Sequence, residues 1–142
     1  MTIAAILEGK GREVISIAAD SSVRDAVALL AERKIGALPV LDGGQVAGVM
    51  SERDVIYCLA RDGAAVLDRP VREVMTAPAI TIEPRVSALA ALSQMTRRRI
   101  RHLPVVEGGR LLGFVSIGDL VAFRISRIEE EAEAMRAYIQ SA

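Results

Sequence analysis

An internal duplication constrains the fold of this chain more than any other feature of its sequence. Residues 14–56 align with residues 79–121 at a constant offset of 65, without a gap, and 14 of the 43 aligned pairs are identical. A period of this length indicates a duplicated α/β unit rather than a solenoid of short repeats. The 142 residues are enough for one ordinary domain or for two small fused ones.

Each copy is predicted to contain the same order of elements, β-α-β-β-α, which is an α/β (α+β) unit. Two consecutive glycines supply the positive φ angles of a tight hairpin turn between the last two strands. In the first copy the predicted strands are residues 14–17, 36–41 and 45–50, and the helices are residues 23–34 and 51–62. In the second copy the strands are residues 79–82, 102–106 and 110–115, and the helices are residues 87–99 and a long one from residue 117.

The segments around the copies complete a division of the chain into five parts. The predicted parts are an N-terminal helix with its lead-in at residues 1–13, the first repeat at residues 14–63, a linker with a short helix at residues 64–78, the second repeat at residues 79–123 and a C-terminal helix extension at residues 124–142.

The last predicted helix, residues 117–139, carries a narrow apolar seam. Its members are spaced 4, 3, 4, 3 and 4 residues apart, like the a and d positions of a heptad repeat: Val121, Ile125, Ile128, Ala132, Met135 and Ile139. Two interpretations remain open. The seam either joins two subunits, which predicts a homodimer, or packs against its own domain.

Composition argues against several classes of function. A net charge of 0 and an aromatic content of 3% do not fit a nucleic-acid binder. No apolar run approaches the roughly 20 residues of a membrane-spanning helix, and the N-terminus lacks the basic and apolar regions of a signal peptide. The single cysteine, Cys58, cannot form an internal disulfide, so the expected location is the cytoplasm.

A Ser-x-x-Asp motif stands at the start of the helix that closes each copy. The pairs are Ser51 with Asp54 and Ser116 with Asp119. One interpretation is a capping box, in which hydroxyl and carboxylate accept hydrogen bonds from free N–H groups. The other is a ligand site, because a helix N-terminus favours a phosphate and a carboxylate accepts two hydrogen bonds from a ribose diol. Two motifs at equivalent positions favour the ligand site.

A basic cluster precedes the second hairpin. Residues 97–99 are explained by the helix C-terminus, where cations are favoured. Arg101 and His102 instead begin a strand that leads into the core. The guanidinium fork suits a phosphate, and the imidazole adds a second donor whose charge varies near neutral pH.

The two copies differ in where they carry this charge. Gly36 and Ala37 replace Arg101 and His102 in the first copy, which instead has Arg53 where the second copy has Gly118. The two sites are therefore predicted to be unequal.

No catalytic constellation is apparent. Cys58 and His102 are the only residues that suit a nucleophile–base pair, and a lone cysteine on an apolar helix face is usually core packing. One cysteine and one histidine do not assemble a common metal site. We therefore expect neither an enzyme nor a metal protein.

Two gapless copies, each closing on Gly-x-x-Ser-x-x-Asp from Gly48 or Gly113, resemble a tandem pair of CBS domains, the Bateman module. The resemblance covers residues 14–121, and the flanking helices are similar to those of stand-alone bacterial two-CBS proteins. It implies two repeats packed about a pseudo-twofold axis, with two clefts that bind AMP, ADP, ATP, NAD or S-adenosylmethionine as a regulatory ligand and no required cofactor.

The resemblance also implies a role for individual residues. The ribose would be bound by Asp54 and Asp119. The phosphate side would be formed by Ser51, Ser116, Arg53, Arg101 and His102. The adenine pocket would be lined by Ser16, Ile17, Met50, Thr81, Ile82 and Val115.

The expected function is a sensor that signals to an effector protein in trans. A ligand that bridges the two copies stabilises one arrangement, and the partner responds to that arrangement. The alternative is a homodimeric interaction scaffold whose pockets bind no ligand.

Overall fold

The computed structural model describes residues 1–11 and 13–141 and confirms the mixed architecture of two α/β repeats with a long last helix. Its helices are α1 (Ile3–Lys10), α2 (Val23–Arg33), α3 (Glu52–Asp62), α4 (Ala88–Arg98) and α5 (Ile117–Ser141). Its strands are β1 (Ile17–Ala18), β2 (Ala37–Asp42), β3 (Gln45–Ser51), β4 (His102–Glu107) and β5 (Arg110–Ser116). Two short 3-10 turns, Ala64–Asp68 and Val71–Glu73, lie between the repeats.

Each repeat is built on its antiparallel hairpin. In the first repeat, β1 runs parallel to β2, which pairs with β3. In the second repeat, β4 pairs with β5, and a single parallel bridge from Ile82 to Val105 replaces β1. The predicted strands at residues 14–17 and 79–82 are therefore wrong in extent. The segments before Ile17 and Ile82 leave the sheet, and within them Ile15 and Ile80 line the clefts described below.

Each repeat has its own apolar core, and the two cores are separate. The first core comes from one continuous stretch of chain: Ile17, Ala19, Val23, Ala26, Leu30, Leu38, Val40, Met50, Val55 and Val71. The second joins two distant stretches: Ile3, Ile6 and Leu7 with Ile82, Ala88, Ala91, Met95, Leu103, Val105, Val115 and Leu120. Helix α1 therefore packs on the second repeat, where the N–H groups of Ile3 and Ala4 donate to the carbonyls of Val86 and Pro84.

Equivalent glycines let a neighbouring segment approach each hairpin closely. A Cβ atom at Gly48 would lie 2.6 Å from the carbonyl oxygen of Thr76, and one at Gly113 would lie 2.5 Å from Cδ2 of Leu7. The segment ending at Thr76 thus covers the first hairpin as α1 covers the second.

Helix α5 runs well beyond the second repeat. Leu120 is buried in the second core, whereas the following seam lies on the surface. The exposed fractions are 44% for Val121, 51% for Ile125 and Ile128, 59% for Met135 and 65% for Ile139. Packing against its own domain therefore does not account for the seam. Nowhere in residues 1–11 and 13–141 is a helix both long and apolar enough to cross a bilayer.

Candidate ligand-binding clefts

Two clefts lie between the repeats, one at each Ser-x-x-Asp motif. The Asp54 cleft has a volume of about 570 Å³ and is formed by the start of α3 together with the residues before β4. The Asp119 cleft has a volume of about 390 Å³ and is formed by the start of α5, the end of α1 and the residues before β2. Each cleft thus takes its aspartate from one repeat and its opposite wall from the other.

Asp54 is held at the N-terminus of α3 by a complete capping box. Its Oδ2 atom accepts hydrogen bonds from the backbone N–H and the hydroxyl of Ser51, each at 2.9 Å. In return, Oγ of Ser51 accepts from the N–H of Asp54 at 3.2 Å. The other carboxylate oxygen, Oδ1, accepts from the hydroxyl of Thr76 at 3.0 Å. All of these donors are neutral groups.

Asp119 has the same cap at the start of α5 but a charged neighbour. Its Oδ2 atom accepts from the N–H of Ser116 at 2.8 Å, and Oγ of Ser116 accepts from the N–H of Asp119 at 3.0 Å. The ammonium of Lys10 lies 2.6 Å from the same Oδ2. Burial by itself would raise the pKa of Asp119, but the hydrogen bonds from Lys10 and Ser116 and the lysine charge lower this pKa below its ordinary value.

Both motifs are therefore caps and cleft residues at once. The capping interpretation and the ligand interpretation do not exclude each other, because the cap holds the carboxylate at a helix N-terminus that opens onto the cleft. Ser51 and Ser116 line their clefts beside their aspartates.

Three arginines line the Asp54 cleft. Arg53 comes from α3, and Arg99 and Arg101 come from the opposite repeat. The sequence does not specify which cleft Arg101 lines, and the structure places it on the Asp54 cleft. Arg99 also lines this cleft, although its sequence position is explained by the helix C-terminus alone. It ends α4 with a left-handed backbone conformation (φ 55).

His102 lines both clefts. Its ring stacks on Phe114, with 5.4 Å between ring centroids and 11° between planes. Burial, followed by the charge of Lys10, lowers the pKa of His102 below its ordinary 6.5, although Asp119 and Glu52 act in the opposite direction. At neutral pH this residue therefore supplies a hydrogen-bond donor and an apolar ring face rather than a positive charge.

The adenine pocket expected from the sequence stays a prediction, and the structure holds its residues off both clefts. Four of its six residues are buried in the two cores and line neither cleft: Ile17, Met50, Ile82 and Val115. Along β3 and β5 successive side chains point to opposite faces of the sheet, and the face that carries Met50 and Val115 is the core face. The remaining two, Ser16 and Thr81, also line neither cleft.

Neighbours of the expected residues form the apolar walls instead. Val49 and Ile80 line the Asp54 cleft, and Phe114 and Ile15 line the Asp119 cleft. Val49 and Phe114 are equivalent at the offset of 65, as are Ile15 and Ile80. The duplication thus extends to the walls of the clefts, displaced by one or two residues from the expected positions.

Sequence reasoning missed two cleft residues that contact the aspartates, Lys10 and Thr76. Both lie just outside the aligned copies, so their pairing was not visible in the repeat. Extending the offset toward the N-terminus pairs Lys10 with Met75, which is adjacent to Thr76. That extension is the signal that could have found them.

Cys58 is 2% exposed, and its thiol donates to the carbonyl of Val55 at 3.2 Å. It lines neither cleft, so it does not meet His102 there. Its place in α3 agrees with the core-packing interpretation.

Comparison with known proteins relates the whole chain to one architecture. The family model of the CBS domain matches residues 11–61 and 71–126. The mitochondrial CBS domain-containing protein CBSX3 of Arabidopsis thaliana is 33% identical over 98% of this chain and 72% of its own length. The crystal structure of a CBS-domain-containing protein from Agrobacterium tumefaciens matches with a TM-score of 0.82 at 38% identity, covering 87% of this chain and 92% of that one. The CBS domain pair of protein MJ0100, in complex with 5-methylthioadenosine and S-adenosyl-L-methionine, matches in fold with a TM-score of 0.79 at 22% identity, covering 89% and 98% of the two chains.

Proposed function

The chain belongs to the CBS domain family, and on this premise we propose that it is a regulatory module that binds an adenosyl ligand between its repeats and signals to an effector protein in trans. One observation carries the proposal. Asp54 and Asp119 stand at equivalent helix N-termini, and each faces a cleft whose opposite wall comes from the other repeat.

The Asp54 cleft has the groups that a nucleoside requires. A ribose diol offers two O–H donors, and hydrogen bonds from such donors to a carboxylate are charge-assisted. The hydroxyl of Thr76 now bonded to Asp54 can rotate away at small cost, since it is neutral and exposed to the cleft. Val49 and Ile80 provide apolar surface for a purine ring.

The charge of the Asp54 cleft favours a ligand with phosphate groups. Arg53, Arg99 and Arg101 line one cleft, and planar guanidinium groups bind phosphate oxygens through paired hydrogen bonds. AMP, ADP, ATP and NAD carry phosphate, whereas S-adenosylmethionine, which MJ0100 binds, carries a positive sulfonium. Phosphate-bearing adenosyl compounds are therefore the proposed class for this cleft.

Signalling follows from the position of the clefts between the repeats. A ligand that contacts both walls favours one arrangement of the two repeats by its differential affinity, typically about 1–3 kcal/mol of coupling. The exposed seam of α5 supports a homodimer through which this arrangement reaches the partner. The proposal is of a cytoplasmic, non-catalytic protein that binds neither nucleic acid nor membrane.

A thermal-shift screen with adenosine, AMP, ADP, ATP, NAD and S-adenosylmethionine tests the proposal. A ligand that binds only the folded state raises Tm, and Asp54→Asn should abolish the rise from the Asp54 cleft. Asp25→Asn is the control for removing the charge of a first-turn aspartate, because Asp25 stands three residues after the N-cap Ser22 of α2, donates its N–H to that hydroxyl and lines neither cleft. A rise that survives Asp54→Asn and Asp119→Asn together would contradict the proposed sites.

The scaffold remains the second candidate, because both serine–aspartate pairs are already satisfied as caps. It predicts that no adenosyl compound raises Tm. It also predicts that Asp54→Asn and Asp119→Asn lower the intrinsic Tm only through the weakened capping hydrogen bonds of these carboxylates.

A further inference from the structure

The Asp119 cleft already contains a cation from the protein itself. The ammonium of Lys10 donates to Oδ2 of Asp119 at 2.6 Å and to the carbonyl oxygen of Phe114 at 2.7 Å. Lys10 is the last residue of α1, and its side chain is 41% exposed. Among the residues that the structure describes, Glu13, Lys34 and His102 also bring titratable groups to this cleft.

The Asp54 cleft makes the same two connections without a charge. There the backbone N–H of Thr76 donates to the carbonyl oxygen of Val49 at 2.9 Å, and the hydroxyl of Thr76 donates to Oδ1 of Asp54 at 3.0 Å. Val49 is the equivalent of Phe114 at the offset of 65. At the Asp119 cleft, the ammonium of Lys10 therefore takes the place of the backbone amide and the hydroxyl of Thr76 at the Asp54 cleft.

We propose that Lys10 determines which cleft accepts the adenosyl ligand. Its ammonium is paired with the carboxylate of Asp119, so the Asp54 cleft is the one that binds the ligand. This inference rests on the proposed function and specifies how its two sites differ. Neutral ribose hydroxyls must compete with a charged donor for Asp119 but only with neutral donors for Asp54. Both kinds of donor make charge-assisted hydrogen bonds to a carboxylate, but the ammonium adds the Coulomb attraction between two opposite charges.

The helix that carries Lys10 is anchored in the second core, and this anchoring keeps the ammonium of Lys10 close to Asp119. Ile3, Ile6 and Leu7 are buried in the second core, and Leu7 packs against Gly113 without room for a Cβ atom. The ammonium is thus held near Asp119 by its own helix, and its release requires the side chain to swing out or the last turn of α1 to open. Ligand binding in the Asp119 cleft therefore depends on the conformation of the last turn of α1.

Isothermal titration with AMP and with adenosine tests the inference on the full chain. The wild-type protein should bind about one equivalent per chain, and Asp54→Asn should remove it. Lys10→Met keeps the length of the side chain and removes the charge, so a second equivalent should appear with an affinity at least about tenfold higher than that of the wild-type Asp119 cleft. In the double variant Lys10→Met, Asp54→Asn, that second equivalent should remain.

Lys34→Met is the charge control, because Lys34 lines the same cleft and the structure gives it no contact with Asp119. It should bind AMP like the wild type. Lys10→Gln, checked by thermal unfolding, provides a second neutral variant if Lys10→Met is not folded.

Two results would overturn this inference but leave the proposed function intact. The first is one equivalent in both wild type and Lys10→Met, and the second is two equal equivalents in the wild type. Weaker AMP binding with unchanged adenosine binding in Lys10→Met would also overturn it, since it would make Lys10 a phosphate ligand. If neither wild type nor any variant binds AMP or adenosine, the inference fails together with the proposed function.

Discussion

At the scale of single residues, Arg101 brings its positive charge to the cleft that holds the aspartate of the opposite repeat. It lies before β4 in the second repeat, yet it lines the Asp54 cleft together with Arg53. The first repeat has Gly36 at the equivalent position, so among the described residues no arginine reaches the Asp119 cleft from before β2. The two clefts therefore differ in charge although their carboxylates are equivalent.

Arg101→Ala should weaken AMP binding by at least roughly tenfold, because a charge-assisted hydrogen bond contributes about 1.5–3 kcal/mol. Binding of adenosine should be unchanged, since the lost contact is with phosphate. Titration calorimetry of both ligands measures the difference. Arg110→Ala is the matched control, because Arg110 is an exposed arginine on neither cleft. An equal loss of AMP and adenosine binding would show that Arg101 holds the structure rather than the phosphate.

The sequence could predict the carboxylates of the clefts but not their apolar walls. Ser-x-x-Asp is visible as a motif because the cap and the site use the same residues. Whether Val49 or Met50 faces the cleft depends on which face of β3 covers the core. Both residues are apolar, so hydropathy along the strand does not distinguish them.

At the scale of elements, the segments that cover the hairpins decide how each cleft is closed. Met75 and Thr76 lie against Gly48, and Leu7 of α1 lies against Gly113. The first contact is with a backbone carbonyl, which cannot rotate away, whereas the second is with the methyl groups of a leucine.

Gly48→Ala should therefore destabilise the protein by about 1–3 kcal/mol, the usual cost of overpacking, and by more than Gly113→Ala. Urea unfolding at a fixed pH measures both free energies. Gly9→Ala is the control within α1, because nothing lies within 4 Å of its added Cβ atom. Alanine is a better helix former than glycine, so this variant should gain up to about 1 kcal/mol. Equal costs at Gly48 and Gly113 would contradict the distinction between backbone and side-chain contacts.

The repeat made most elements predictable, since two copies of one pattern reinforce each other. Helices α2 and α4 lie within one residue of their predicted bounds and begin after the N-caps Ser22 and Ser87. The packing of α1 on the second repeat was not predictable, because nothing local in Ile3, Ile6 and Leu7 specifies a partner that is about a hundred residues away in the chain.

At the scale of the whole molecule, α5 exposes an apolar seam that its own domain leaves uncovered. The seam keeps the spacing of a heptad, and its members beyond Phe123 are all exposed. A second copy of the chain is the proposed occupant, since heptad seams pair with one another.

Ile128→Asp should convert the proposed dimer to a monomer, because a carboxylate in a paired seam would be buried without a partner. Light scattering after gel filtration measures the mass. Ala137→Asp places the same charge on the exposed opposite face of α5 and should leave the mass unchanged. A monomeric wild type, or a dimer that survives Ile128→Asp, would contradict the role of the seam.

The division of the two cores also has a consequence for the order in which the chain acquires its structure during synthesis. The first core needs only residues up to about Met75, so that half can form while the rest is still being translated. The second core needs Ile3 from the beginning and Leu120 from near the end. Domains tend to fold as their sequence emerges from the ribosome. The first ten residues are therefore synthesised first but can pack into the second core only after nearly the whole chain has been synthesised.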